Sequence, residues 1–260
     1  MKPNALLRRL FGLLLVASAA SGMSPAAHAD DSSLHLSFNG FNLTTGSGNL
    51  QSEARNVSGF QAIVLRSSMT LVLRQGTREG VELRADDNLL ALIETEVVDR
   101  GGVPTLELGL KKGSSFSTRH PVVATIDFIN LRALSISGSG EVVSEALKAP
   151  ALAIAISGSG KVKLRQITTD ELSAKVAGNG DLEFAGRTGK LGVSISGSGE
   201  VNAHALDADD VSVSVAGNGD AHVTARKTLA ISIAGNGNVS YTGDPTVKSS
   251  IAGHGSVRKQ

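Results

Sequence analysis

The sequence predicts an all-β protein, a parallel β-helix or β-solenoid of about 18–20 residues per coil with an N-terminal β capping region. Three observations predict it. A small-Gly-polar-Gly tetrapeptide recurs at near-constant spacing, alternating aliphatic residues lead into most of its copies, and aromatic residues make up only 3% of the chain beside 30 glycines. With 260 residues, 41% of them hydrophobic, and Lys+Arg 25 against Asp+Glu 24, the chain is long and apolar enough to fold and too balanced in charge for a disordered tail. It carries no block of clustered Lys and Arg of the kind that displaces counterions from phosphates, so nucleic acid is not an expected partner.

From the N-terminus, Lys2, Arg8 and Arg9 precede the apolar run Leu10 to Ala20, and Ala27-His28-Ala29 supplies small residues where a signal peptidase reads them. Residues 1–29 therefore read as a secretory signal, with the mature chain starting at Asp30 and bound for the periplasm or cell surface. The apolar stretch is about half of the ~20 residues needed to span a bilayer, which argues against an anchor. Removing those three basic residues turns the formal charge from +1 to −2. With no Cys there is no disulfide, thiolate metal site or cysteine nucleophile, and stability has to come from packing.

Residues 30–54 read as a leader or an imperfect first coil, with one isolated turn-like match at Thr45-Gly46-Ser47-Gly48-Asn49-Leu50. Residues 55–130 read as an N-terminal β region. Strand-like runs occur there at Ala62 to Leu65, Thr70 to Leu73, Val81 to Leu83, Leu89 to Val98, Thr105 to Leu110 and Val122 to Phe128, and a capping or sheet-extending role is expected.

Residues 131–260 hold the repeat. The first glycines of its copies, Gly138, Gly158, Gly178, Gly197, Gly217, Gly235 and Gly253, are separated by 20, 20, 19, 20, 18 and 18 residues. Alternation such as Leu152-x-Ile154-x-Ile156 and Leu191-x-Val193-x-Ile195 has the period of a strand. An apolar residue two positions past the second glycine starts another strand. Glycine reaches positive φ without a Cβ penalty, so Gly-x-Gly suits a tight corner between the two. Identical corners at one spacing predict coils stacked in parallel, ~4.8 Å apart, their aliphatics forming ladders in a lumen too narrow for many rings.

Taken with the entry Arg55-Asn56-Val57-Ser58-Gly59-Phe60-Gln61-Ala62-Ile63, then Gln75-Gly76 and Ala85-Asp86-Asp87-Asn88-Leu89-Leu90, these turns resemble the putative autotransporter adhesin, head GIN domain family of exported bacterial proteins, over roughly Arg55 to Gly255. The resemblance implies an exported β-helical protein with an adhesion role, and supplies no catalytic residues. A complete autotransporter also has a stalk and a barrel, which are not recognised in this chain.

Two outward rows are candidates for function. The residue between the glycines gives Ser139, Ser159, Asn179, Ser198, Asn218, Asn236 and His254, a stacked amide and hydroxyl ladder that also offers a repetitive hydrogen-bonding surface to an envelope or host glycan or protein. The residue after the second glycine gives Glu141, Lys161, Asp181, Glu200, Asp220, Asn238 and Ser256. Asp181 and Glu200, ~5 Å apart in a stack, match the spacing of a retaining glycosidase's carboxylates, but Lys161 interrupts the row and no aromatic platform accompanies it. Gly-Asn-Gly-Asp departs from the Gly-Gly-x-Gly-x-Asp register of calcium-binding rolls, and His35, His120, His204 and His222 lack zinc spacing. The reading is a non-enzymatic, adhesin-like or envelope-associated binding protein without cofactor or metal. A polysaccharide-acting enzyme on a parallel β-helix is the alternative, and the open final coil near Ile251 predicts a homo-oligomer.

Overall fold

The structure is a computed structural model that describes residues 35–38 and 41–260. The expected secretory signal lies outside the described residues. Among them no helix is long and apolar enough to cross a membrane.

The glycine-cornered half is a ribbon wound on itself with every neighbouring strand parallel. It comprises β11 (Ala133–Gly138), β12 (Glu141–Ser144), β13 (Leu147–Gly158), β14 (Lys161–Gly178), β15 (Asp181–Gly197), β16 (Glu200–Gly217), β17 (Asp220–Gly235), β18 (Asn238–Thr242), β19 (Thr246–Gly253) and β20 (Ser256–Lys259). Each long strand leaves one corner and runs round the coil to the next. Register puts like on like: Leu134, Ile154, Ala174, Val193, Val213 and Ile231 form one inward column, and Ile136, Ile156, Val176, Ile195, Val215 and Ile233 another. None of these residues is more than 4% exposed. Burial of each larger aliphatic contributes about 1.5–3 kcal/mol, which is how a chain without cysteine holds together.

Coils of 20, 19 and 18 residues share one corner because the difference is taken up elsewhere. The registers slip between Leu164 and Ile167, between Glu183 and Ala185, and between Ala203 and Asp210, all on the bend away from the glycines. Phe184, 1% exposed, sits beside this bend on the Leu164 column, and the coil above turns Ala203 inward there.

The stack continues below β11 in an order the chain does not follow. Strands β4 (Ala62–Arg66) and β5 (Thr70–Gln75) form a coil directly beneath β11 and β12. Beneath that lies a coil from later in the chain, β8 (Pro104–Leu110) under β4 and β10 (Val123–Phe128) under β5. The end is then finished by antiparallel strands: β7 (Ile93–Asp99) on β8, β6 (Gly80–Asp86) on β10, and β3 (Leu50–Arg55) on β6. A separate small sheet joins β1 (His35–Phe38), β2 (Phe41–Thr45) and β9 (Ser114–Ser117). Residues 41–55 thus enter β2 and β3, flanking the stack, and none of them forms a coil of it.

Leu89 to Val98 reads as one strand in the sequence, and the structure corrects this. Asp87–Leu90 is a single helical turn, α1, and the strand begins at Ile93. Leu89 and Leu90 are 0% and 4% exposed. A turn can send two adjacent leucines into one core, whereas a strand would send them to opposite faces.

Candidate functional site

The corners are built by two glycines with different jobs. The first has positive φ, from 118° at Gly178 to 134° at Gly235. The second lies outside the positive-φ region, and space demands glycine there: a Cβ at Gly219 would lie 2.5 Å from Ile195 Cγ2 and 2.6 Å from the Gly199 carbonyl oxygen. Between them, the middle residue donates its backbone N–H to the first glycine's carbonyl one coil below, as Asn218 does to Gly197 at 2.9 Å. That bond fixes the backbone and leaves the middle side chain pointing outward.

Ser139, Ser159, Asn179, Ser198, Asn218, Asn236 and His254 are accordingly all exposed and follow one another coil by coil. Within this row, among the described residues, one side-chain hydrogen bond forms, from Asn236 Nδ2 to Asn218 Oδ1 at 3.0 Å. The other members of the row form no side-chain hydrogen bond with one another. Most of the row's donors and acceptors therefore face solvent.

The neighbouring row behaves differently. Glu141, Lys161, Asp181, Glu200, Asp220, Asn238 and Ser256 are register partners in succession. Lys161 pairs with Asp181 at 3.3 Å, Asp220 Oδ1 accepts from the Asn238 amide nitrogen at 2.9 Å and from its Nδ2 at 3.0 Å, and Ser256 Oγ donates to Asn238 Oδ1 at 2.7 Å. Much of its polarity is spent within the protein. The side chains of Asp181 and Glu200 are 49% and 53% exposed, and Asp181 is already ion-paired, whereas a general acid needs burial that favours its neutral form.

The histidines are dispersed. His120 Nδ1 meets Asp86 Oδ1 at 2.9 Å, His204 Nδ1 meets Asn202 Oδ1 at 2.8 Å, and His222 Nδ1 meets Ser240 Oγ at 2.5 Å. Among the described residues no group of three or more His, Asp or Glu side chains is placed to hold a metal ion. Asp86, 2% exposed, also accepts from Thr118 Oγ1 at 2.7 Å. Burial pushes its carboxyl up, but the hydrogen bonds from Thr118 and His120, the charge of His120 and the Gly48 amide outweigh this and hold it below the ordinary aspartate value.

Two features escape the row analysis. One is a wall of small residues, broken only by Lys175, on the strands that approach the corner: outward positions run Ser135, Ala155, Lys175, Ser194, Ser214, Ser232, Ser250 in one column and Ser137, Ser157, Ala177, Ser196, Ala216, Ala234, Ala252 in the next. These are the residues between the alternating aliphatics, so their signal is present in the sequence. The other is an open cleft of about 590 Å³ bordered by Gln75, Ile129, Leu147, Lys148, Gln166 and Thr168. There the Gln75 side chain replaces a strand neighbour, accepting from the Lys148 N–H and donating to its carbonyl, both at 2.8 Å.

Comparison with known proteins matches this fold to solved structures described as putative adhesins and as a putative lipid binding protein. A putative adhesin from Bacteroides fragilis has 27% identity and a TM-score of 0.76, covering 83% of this chain and 99% of its own. A structure described as a putative lipid binding protein from Parabacteroides distasonis has 25% identity and a TM-score of 0.70, covering 84% and 99%. A putative adhesin from Parabacteroides merdae shares the fold at 22% identity and a TM-score of 0.68, covering 84% and 99%. Among curated proteins none matches the chain. The model of the family described as putative auto-transporter adhesin, head GIN domain, matches residues 59–245, and the chain belongs to that family.

Proposed function

We propose that the protein is exported to the periplasm or cell surface and acts there as a non-enzymatic, adhesin-like binding protein, using the repetitive row of corner residues to engage a glycan or protein of the envelope or host. The observation that carries this is the contrast between the two rows. The charged row is largely satisfied internally, whereas Ser139, Ser159, Asn179, Ser198 and His254 make no side-chain hydrogen bond with the described residues and repeat at the coil spacing. A ligand that itself repeats, such as a polysaccharide or an extended chain, can meet several of these groups at once, each weakly.

The test is binding of the purified protein to immobilised envelope polysaccharides and host glycans. Asn179→Ala combined with Asn218→Ala and Asn236→Ala should leave the melting temperature nearly unchanged and abolish binding. Unchanged binding by this variant removes the row as the site. The competing class, a polysaccharide-acting enzyme, is tested by Asp181→Ala with Glu200→Ala: loss of glycan turnover by that variant would replace the binding reading. Protease shaving of intact cells separates surface display, where the chain is cut, from a periplasmic location, where it is spared.

A further inference from the structure

We propose that copies of this chain associate head to tail, with β19 of one copy adding antiparallel to β7 of the next, so that one sheet runs through both molecules. Among the described residues β19 pairs only with β17, and β7 only with β8, so each presents an unpaired strand edge. Such edges are templates for another chain unless they are guarded.

Among the described residues, four of the five large exposed hydrophobic side chains lie on strands at the two ends: Leu50 and Val97 at one, Val247 and Ile251 at the other. Val97 and Thr95 terminate the inward columns that run through Leu106 and Leu108. Those same columns continue upward through Ile63 and Leu65 and finish at Ser249 and Ile251. Stacking a second copy along the axis would place Ile251 opposite Thr95 and diagonal to Val97, within reach of side-chain contact. The core would then continue across the junction. The strands match in length, seven residues in β7 and eight in β19.

Charge favours this pairing over like ends meeting. Strand β7 carries Glu94, Glu96 and Asp99 and no base, while β19 carries Lys248 and no acid. Lys248 belongs to the column that ends at Val98, two residues along from Glu96. On the other face the ends are guarded: Glu53 and Arg55 pair at 2.7 Å across the inward columns of β3, and Lys259 occupies an inward column, paired with Asp244 at 2.8 Å. The junction is accordingly confined to β7 and β19. A heterologous contact of this kind repeats, giving short open chains of molecules in place of a closed dimer.

The test is light scattering on the purified protein over a concentration series. The mass should climb beyond one chain as concentration rises, and fall back with added salt. Ile251→Lys blocks the tail and Val97→Lys blocks the head; both positions are exposed, and unchanged circular dichroism melts verify folding. Each variant alone should stay at the mass of one chain, and an equimolar mixture should form a complex of two chains and no larger one. A wild-type mass of one chain throughout overturns the proposal, as does continued self-association of either variant or failure of the mixture to pair. A charge exchange gives an independent check: Lys248→Glu should weaken association, and adding Glu96→Lys should restore it. No restoration counts against the register.

Discussion

Replacing Gly217 by Ala tests the corner more directly than any change in the core. Gly217 has φ of 125°, and an added Cβ would lie 2.5 Å from the Gly197 carbonyl oxygen of the coil below. Holding a residue with a side chain at such a φ costs about 1–3 kcal/mol. The steric conflict is with backbone, which has no rotamer to escape into, so the corner must lift. Lifting stretches the 2.9 Å bond from the Asn218 N–H to Gly197, whose loss costs about 0.5–1.5 kcal/mol. The sum is a destabilisation of about 1.5–4.5 kcal/mol. The control is Gly192→Ala: Gly192 has no positive φ, and its Cβ would approach nothing closer than 4.0 Å, so this change should be neutral or stabilise by about 0.4–1 kcal/mol. The assay is guanidinium denaturation followed by far-ultraviolet circular dichroism, with hydrogen exchange to locate the weakened coils. If the two variants are equally stable, the account of why glycine recurs is wrong.

Three further outcomes follow from the packing and the charges. Phe184→Ala should cost about 3–5 kcal/mol, read from the denaturation midpoint, because a fully buried ring leaves a cavity on the Leu164 column. Asp86 is held below its ordinary value, so its contribution to stability is complete above its unfolded pKa of about 3.9 and is lost as pH falls through the lower folded value; melting temperature should drop below about pH 4, and less steeply in Asp86→Asn. Asp181→Ala should shift stability by less than about 1 kcal/mol, since its ion pair with Lys161 is about half exposed on both sides.

The glycine stack was legible because close backbone approach writes itself into composition: where coils touch through their corners, only glycine fits. The coils at β4–β5 and β8–β10 were read as strands but not as coils, because no Gly-x-Gly joins their strands: the first turns through Ser67, Ser68 and Met69, and residues 111–122 separate β8 from β10. The glycines of the corner above still pack closely on that turn, a Cβ at Gly140 lying 2.7 Å from the Ser67 oxygen. The helical turn at Leu89-Leu90 was hidden because two adjacent apolar residues fit a buried strand equally well. The stacking of the corner residues into one exposed row was legible in the glycine spacing. Its distinction from the charged row required knowing which polar groups pair with one another across coils, which the sequence does not state.

The inversion of coil order has a consequence for how the molecule is assembled. Beyond Ala133, each new coil of about 20 residues meets a finished template in the coil before it, and the contacts it needs are short in sequence, so growth can proceed by simple addition. The strand β4 is different: its neighbours are β8, beginning at Pro104, and β11, beginning at Ala133. A chain synthesised N-terminus first therefore cannot set its foundation until about half of it has emerged, and its slowest step, closing those long loops, precedes all the fast ones.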